Sequence, residues 1–219
     1  MVICSSLSSA KPQAVTCGSV IKLMNSNHKV RLHSHDVKYG SGSGQQSVTG
    51  VVVKEDVNSH WTVKGPDDRS FCMRGEPVEC GQKIRLEHLS THRNLHSHHF
   101  SSPLSSQQEV SAFGEGGRGD TGDVWKVMCE GDYWTRGDNM MLKHSDTGAF
   151  LSASGHTFGR PINGQVGSLW SLRSWSDLSL FPDGNSWLQP SGRQHTLEDS
   201  GGRLCSSDRF RPQEKLRSR

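Results

Sequence analysis

Leu32-His33-Ser34-His35 returns sixty-three residues later as Leu95-His96-Ser97-His98. The same spacing links Cys17-Gly18-Ser19-Val20-Ile21-Lys22-Leu23 to Cys80-Gly81-Gln82-Lys83-Ile84-Arg85-Leu86. Further along, Gln45-Gln46-Ser47-Val48 matches Gln107-Gln108-Glu109-Val110, and Trp61-Thr62-Val63 matches Trp125-Lys126-Val127. Anchors in one order at spacings of 62 to 64 residues mark a duplicated structural unit, and a near-fixed period decides the architecture before any local motif does.

A third copy opens with Met140-Met141-Leu142-Lys143-His144. Ala149-Phe150-Leu151-Ser152-Ala153-Ser154 then stands where the His tetrad would be, fifty-six residues beyond Leu95, with small residues in place of both histidines. Gly164-Gln165 is a remnant of the Gln-Gln corner. Beyond it the pattern stops: none of Trp170, Trp175 and Trp187 opens a Trp-x-Val strand. Residues 1–165 carry 9 Lys, 8 Arg and 11 His, whereas residues 166–219 carry 1 Lys, 7 Arg, 1 His and 11 Ser, so the composition shifts where the repeats end. The tail has no sustained period and reads as loop. The shift favours an altered C-terminus, such as an alternative final exon, over a genuine divergent appendage.

Each unit reads as four short strands. In the first they are Val20–Met24, Lys29–His35, Ser47–Val53 and His60–Lys64, separated by turn clusters such as Asn25-Ser26-Asn27 and Gly40-Ser41-Gly42-Ser43-Gly44. Four strands in each of three units give an all-β chain, a β-trefoil of three repeats whose third is incomplete, followed by an irregular tail. Three blades are too few for a propeller. The domain boundaries are a divergent segment 1–14, a trefoil 15–165 with repeats at about 15–68, 76–131 and 132–165, and the tail 166–219. A barrel removes its sheet edges only by closing. If the tail supplies no strands, the first and third lobes keep open edges that invite aggregation.

Bulk properties exclude some functions. The net charge of +3 is small and evenly spread, which argues against nucleic acid. No apolar run approaches the length of a membrane span. The first ten residues lack a basic n-region and an apolar core, the last four are not an ER-retention tetrapeptide, and no Asn-x-Ser/Thr acceptor occurs. Six cysteines allow disulfides without demanding them. A Cys72–Cys80 bond would close a short loop around Pro77, but connectivity stays open, and no Cys-x-x-Cys pair points to a zinc ribbon.

The residues that could carry chemistry sit on the histidine strand. Alternate residues share a face, so His33 and His35 point one way, as do His96 and His98, while Leu32 and Leu95 face the core. Asp36 and His99 follow at matching positions, and Gln46 and Gln108 mark the corner. These eight polar residues are the candidate ligand-binding set; Leu32, Trp61, Leu95, Trp125 and Leu151 are structural anchors. Two same-face histidines supply too few ligands for zinc, so no metal and no cofactor is expected. A groove for sugar hydroxyls or peptide groups is the functional alternative. The simplest reading is that the imidazoles hydrogen-bond loop carbonyls at each repeat's corner, since repeated sites are usually scaffold. Gly40–Gly44 lacks the Lys-Ser/Thr of a phosphate cradle. The tripeptides Arg118-Gly119-Asp120 and Arg136-Gly137-Asp138 are short enough to arise by chance. No nucleophile stands beside a base, so no enzyme is expected.

Val15-Thr16-Cys17-Gly18-Ser19, Arg31–Val37, Tyr39–Gly50, Asn94–His98, Glu109–Gly114 and Phe158-Gly159-Arg160-Pro161-Ile162 resemble the stromal cell-derived factor two family, whose members consist of three MIR motifs. The resemblance covers roughly residues 15–165. It implies a β-trefoil in the ER lumen and a non-enzymatic partner of an ER J-domain co-chaperone and the lumenal Hsp70. Such an assembly holds misfolded clients in quality control, ER-associated degradation and the unfolded-protein response. Carbohydrate binding of the mannose type, or regulation of protein O-mannosylation, is the alternative. The family's leader, its third Trp-bearing strand and its retention-like tail find no counterpart here.

Overall fold

The computed structural model describes residues 13–68, 70, 72–102, 105–157, 168–173 and 188–190. Its strands are β1 (Val20–Ile21), β2 (Leu23–Asn25), β3 (Arg31–Lys38), β4 (Gln46–Val51), β5 (Trp61–Lys64), β6 (Lys83–His88), β7 (Asn94–Ser101), β8 (Gln108–Phe113), β9 (Trp125–Cys129), β10 (Met140–His144), β11 (Phe150–Thr157), β12 (Ser168–Arg173) and β13 (Leu188–Pro190). One antiparallel sheet joins them all. Two 3-10 turns, Val57–Ser59 and Thr121–Asp123, precede β5 and β9.

The repeat shows in the register. β3 pairs with β4 as Leu32↔Gly50, β7 with β8 as Leu95↔Ala112, and β11 with β12 as Leu151↔Leu172. These are three equivalent hairpins, and their returning strands close on one another: β4 pairs β8, β8 pairs β12 and β12 pairs β4. At the opposite end the backbone closes a second ring. Val15 N–H donates to Trp134 O (2.7 Å), Trp134 N–H to Val78 O (2.8 Å) and Val78 N–H to Val15 O (2.9 Å). A cyclic set of three like bonds requires a pseudo-threefold axis. A neighbouring set repeats it, with Cys17 donating to Glu76, Cys80 to Asp132 and Arg136 to Gln13.

One sequence expectation is corrected. The chain after residue 165 does supply strands, because backbone pairing depends on register rather than on a Trp-x-Val signature. β5 and β9 open with Trp61↔His88 and Trp125↔His144, and β13 opens with Leu188↔Asn25, the same place in the pattern one residue after Trp187. The condition for open edges is therefore not met: β12 pairs with β4 and β13 with β2. Gly164-Gln165, Trp175, Trp187, the Phe158–Ile162 stretch, Cys4 and Cys205 lie outside the described residues. The disulfides, whose connectivity the sequence left open, are Cys17–Cys72 and Cys80–Cys129. Each ties the segment before a repeat's first strand to the chain at or just beyond its last strand, and Arg136 occupies the position equivalent to Cys17 and Cys80.

The core holds Leu32, Leu95 and Leu151, all fully buried, with Val48, Val110, Trp61, Trp125 and Trp134. Tyr39 locks the axis from the side. Its hydroxyl is placed between the carbonyls of Val48 (3.0 Å) and Val110 (2.9 Å) and accepts from the Val48 amide, and burial pushes its pKa far above the ordinary phenol value.

Candidate functional site: imidazole and carboxylate clusters beside the hairpins

Period-two alternation predicts one polar and one apolar face for the tetrad strands. Instead the first four residues of β3 and of β7 are buried on both faces. Each strand runs under the following 3-10 turn, so His33 (1% exposed) and His96 (4%) are interior residues. A buried imidazole needs partners, and the turn supplies them. His33 Nδ1 lies 2.8 Å from Asp56 Oδ2, and His96 Nδ1 lies 2.9 Å from Asp123 Oδ1. Because a carboxylate only accepts, each Nδ1 carries the proton. The free Nε2 of His33 then accepts from His35 Nδ1, 3.0 Å away.

Burial alone would raise the Asp56 carboxyl, but hydrogen bonds from Ser59 and His33 outweigh it and hold the pKa below the usual range. The two repeats differ at this point. Asp56 and Asp120 are the equivalent N-cap residues. In the first repeat Ser59 supports the cap aspartate, whereas the second repeat places Asp123 there, and Asp123 takes the imidazole directly. Asp120 stays beside it, its Oδ1 3.6 Å from His96 Nδ1.

One further histidine completes each cluster. His88 Nε2–H donates to Asn58 O (2.9 Å) and its Nδ1 accepts from Thr91; His144 Nε2–H donates to Gly122 O (2.8 Å) and its Nδ1 accepts from Thr147. Each packs at a tilt against the repeat's tryptophan, with ring centroids 5.0 Å from Trp61 and 4.8 Å from Trp125. The indole N–H groups donate to the tetrad leucine carbonyls, Trp61 to Leu32 and Trp125 to Leu95. The loop-carbonyl role expected of the tetrad thus belongs to His88 and His144, which the sequence reading missed. Their signal was present as His-x-x-Thr in His88-Leu89-Ser90-Thr91 and His144-Ser145-Asp146-Thr147.

The other expected residues spread out. His35 and His98 are half-buried, while Asp36 and His99 are exposed. Gln46 is buried and donates to Ser34 (2.7 Å) and Thr91 (2.9 Å), so it is a corner brace. Gln108 is partly buried, and its Oε1 has no hydrogen-bond partner. A cleft of about 440 Å³ gathers His96, His98, His99, Asp120, His144 and Asp146; His33 and His35 do not line it. A second, of about 380 Å³, is bordered by Lys64, Arg85, Asp68 and Arg118. The Arg118-Gly119-Asp120 tripeptide therefore divides, its arginine on one cleft and its aspartate on the other.

Burial chiefly, reinforced by neighbouring imidazoles, lowers the pKa of His35, His88, His98 and His144 below 6.5. Their folded values lie under the unfolded one, so folding favours the neutral rings. That stabilisation is complete above pH 6.5 and is lost as pH falls from there through the folded values. The melting temperature is therefore expected to be flat from neutral to mildly alkaline pH and to fall as the pH drops below 6.5. A thermal melt series measures this, and a midpoint that held or rose over the acid interval would contradict it.

The comparisons with known proteins agree with this architecture. A model of the MIR domain matches residues 22–128. The chain is 58% identical over 161 residues to mouse (Mus musculus) stromal cell-derived factor 2, covering 74% of this chain and 76% of that protein. The crystal structure of the stromal cell-derived factor 2-like protein from Arabidopsis thaliana superposes with a TM-score of 0.73 at 39% identity, covering 82% of this chain and 95% of that one. A Saccharomyces cerevisiae protein O-mannosyltransferase Pmt1-Pmt2 complex, solved bound to the sugar donor, matches at 26% identity and a TM-score of 0.69, over 86% of this chain and 27% of that chain. By sequence identity, matched domain and repeat geometry, the chain belongs to the stromal cell-derived factor 2 family of MIR-domain proteins.

Proposed function

We propose that the chain is a non-enzymatic interaction module of the ER lumen, a subunit of a chaperone–co-chaperone assembly. Its partners are an ER J-domain co-chaperone and the lumenal Hsp70, and it helps to hold misfolded clients in quality control, ER-associated degradation and the unfolded-protein response. The observation that carries the compartment is the pair of repeat-spanning disulfides, Cys17–Cys72 and Cys80–Cys129, which persist only in an oxidising environment. Family membership supports the assembly. Among the described residues the imidazoles and carboxylates around His33 and His88 are engaged in holding turns, which suits a rigid binding scaffold better than a reaction centre. The connection from β4 to β5 presents Val52, Val53 and Val57 to solvent, apolar groups suited to contact with unfolded chain. Co-precipitation of the oxidised full chain with the purified lumenal J-protein tests the reading; complex formation supports it, and no association under oxidising conditions removes it.

Glycan binding is the second reading, favoured by the likeness to the mannosyltransferase complex solved with its sugar donor. In this reading the ligand meets the accessible members of the candidate set, His35, Asp36, His98 and His99, while His33, His96, Gln46 and Gln108 stand behind them. A mannose-type glycan array with a His98→Ala control decides it. Binding abolished by that change supports a lectin or a regulator of O-mannosylation, and an array without signal excludes both.

A further inference from the structure

We propose that the second repeat contains a binding site for a first-row divalent cation, zinc in character, made by His96 Nδ1, whose proton is released to solvent as the cation binds, and one carboxylate oxygen each from Asp120 and Asp123. The three ligand atoms all lie within 4.8 Å of one another. His96 Nδ1 is 2.9 Å from Asp123 Oδ1 and 3.6 Å from Asp120 Oδ1. Zinc bonds of about 2.0–2.2 Å in a tetrahedron put neighbouring ligand atoms about 3.3 Å apart, between these two separations. Sequence alone offered only pairs of histidines on a strand face. The folded chain instead brings one histidine against two carboxylates from the turn before β9.

The first repeat is an internal control. There the same imidazole is held by the single carboxylate of Asp56, with Ser59 behind it, and the repeat folds the same way. The scaffold thus needs one carboxylate, and the second repeat has two. Asp123 is fully buried, so its charge is kept out of water beside a second anion. Hydrogen bonds from the Asp120 amide (2.8 Å) and Asn94 (3.4 Å) orient its other oxygen. A cation bound by both carboxylates would offset their repulsion. Asn94 is itself wholly buried and turns its amide nitrogen, not its oxygen, to Asp123. Asp120 opens onto the 440 Å³ cleft, which gives a cation a path in and leaves room for water as fourth ligand. One nitrogen and two carboxylate donors suit zinc better than calcium, which takes oxygen alone.

Calorimetric titration of the oxidised full chain with zinc chloride tests the assignment. One saturable site is expected, weakened at least tenfold by Asp120→Asn, which keeps a competent N-cap side chain while removing the charge. Asp123→Ser, which restores the first repeat's residue, is expected to do the same. His28→Ala, an exposed histidine in the first repeat, is expected to leave the affinity unchanged. Zinc is also expected to raise the melting temperature of the unaltered chain and not that of Asp120→Asn. Absence of saturable uptake, or equal affinity in Asp120→Asn and the unaltered chain, overturns the site.

Discussion

Alanine in place of Trp125 is expected to lower the unfolding free energy by about 3–5 kcal/mol, the range for deleting a large buried aromatic. Trp125 is completely buried, donates to Leu95 O at 2.8 Å and packs at a tilt against His144. Its removal leaves a cavity against the core leucines, an unpaired carbonyl in the tetrad strand and an imidazole without its ring contact. Trp61 has the same three relations in the first repeat, to Leu32 O at 2.9 Å and to His88. Trp61→Ala should therefore cost a similar amount. Urea denaturation of both variants measures this. A loss below about 1 kcal/mol at either site, the scale of a surface substitution, would show that the indole is not a structural anchor.

Loss of both disulfides is the second large effect. Cys17–Cys72 spans 55 residues and Cys80–Cys129 spans 49. Loops of that length restrict the unfolded chain enough to stabilise the fold by about 4 kcal/mol each on the chain-entropy view. A domain of this size has only about 5–15 kcal/mol in total. Cys72→Ser with Cys129→Ser is therefore expected to leave the protein largely unfolded at physiological temperature. Each single change should lower the melting temperature by a comparable step, since each opens one repeat. Circular dichroism with and without reductant reads the outcome. A double variant that melted like the oxidised chain would mean that the repeats hold together without cross-links.

Much of this fold was legible because duplication makes sequence compare itself. The Leu-His-Ser-His and Trp-x-Val anchors fall within β3, β7, β5 and β9, and four strands in each of three units gave the trefoil, which the family resemblance also implied. What escaped has physical causes. The ring of Val15, Val78 and Trp134 uses backbone groups, so its members need not resemble one another. β13 lies in register by pairing with β2 and β10, and nothing in Leu188-Gln189-Pro190 advertises it. Disulfide pairing depends on which turns lie side by side, which a spacing count does not contain. In the candidate site, alternation placed His33 and His35 on one face correctly but could not show that the turn at residues 57–59 covers the first and leaves the second half-open. Nor could it show that Asp120 and Asp123 fold back onto His96, because that contact depends on the geometry of the turn.

Closure of three repeats around one axis is tested most directly at the cyclic hydrogen bonds. Native-state hydrogen exchange by NMR of the Val15, Val78 and Trp134 amides should give a single opening free energy for all three, near that of global unfolding. Each bond is one side of the same ring. Exchange of any one of these amides at the rate of an unstructured chain, while the other two stay protected, would show that the ring is open and that the repeats do not form one barrel.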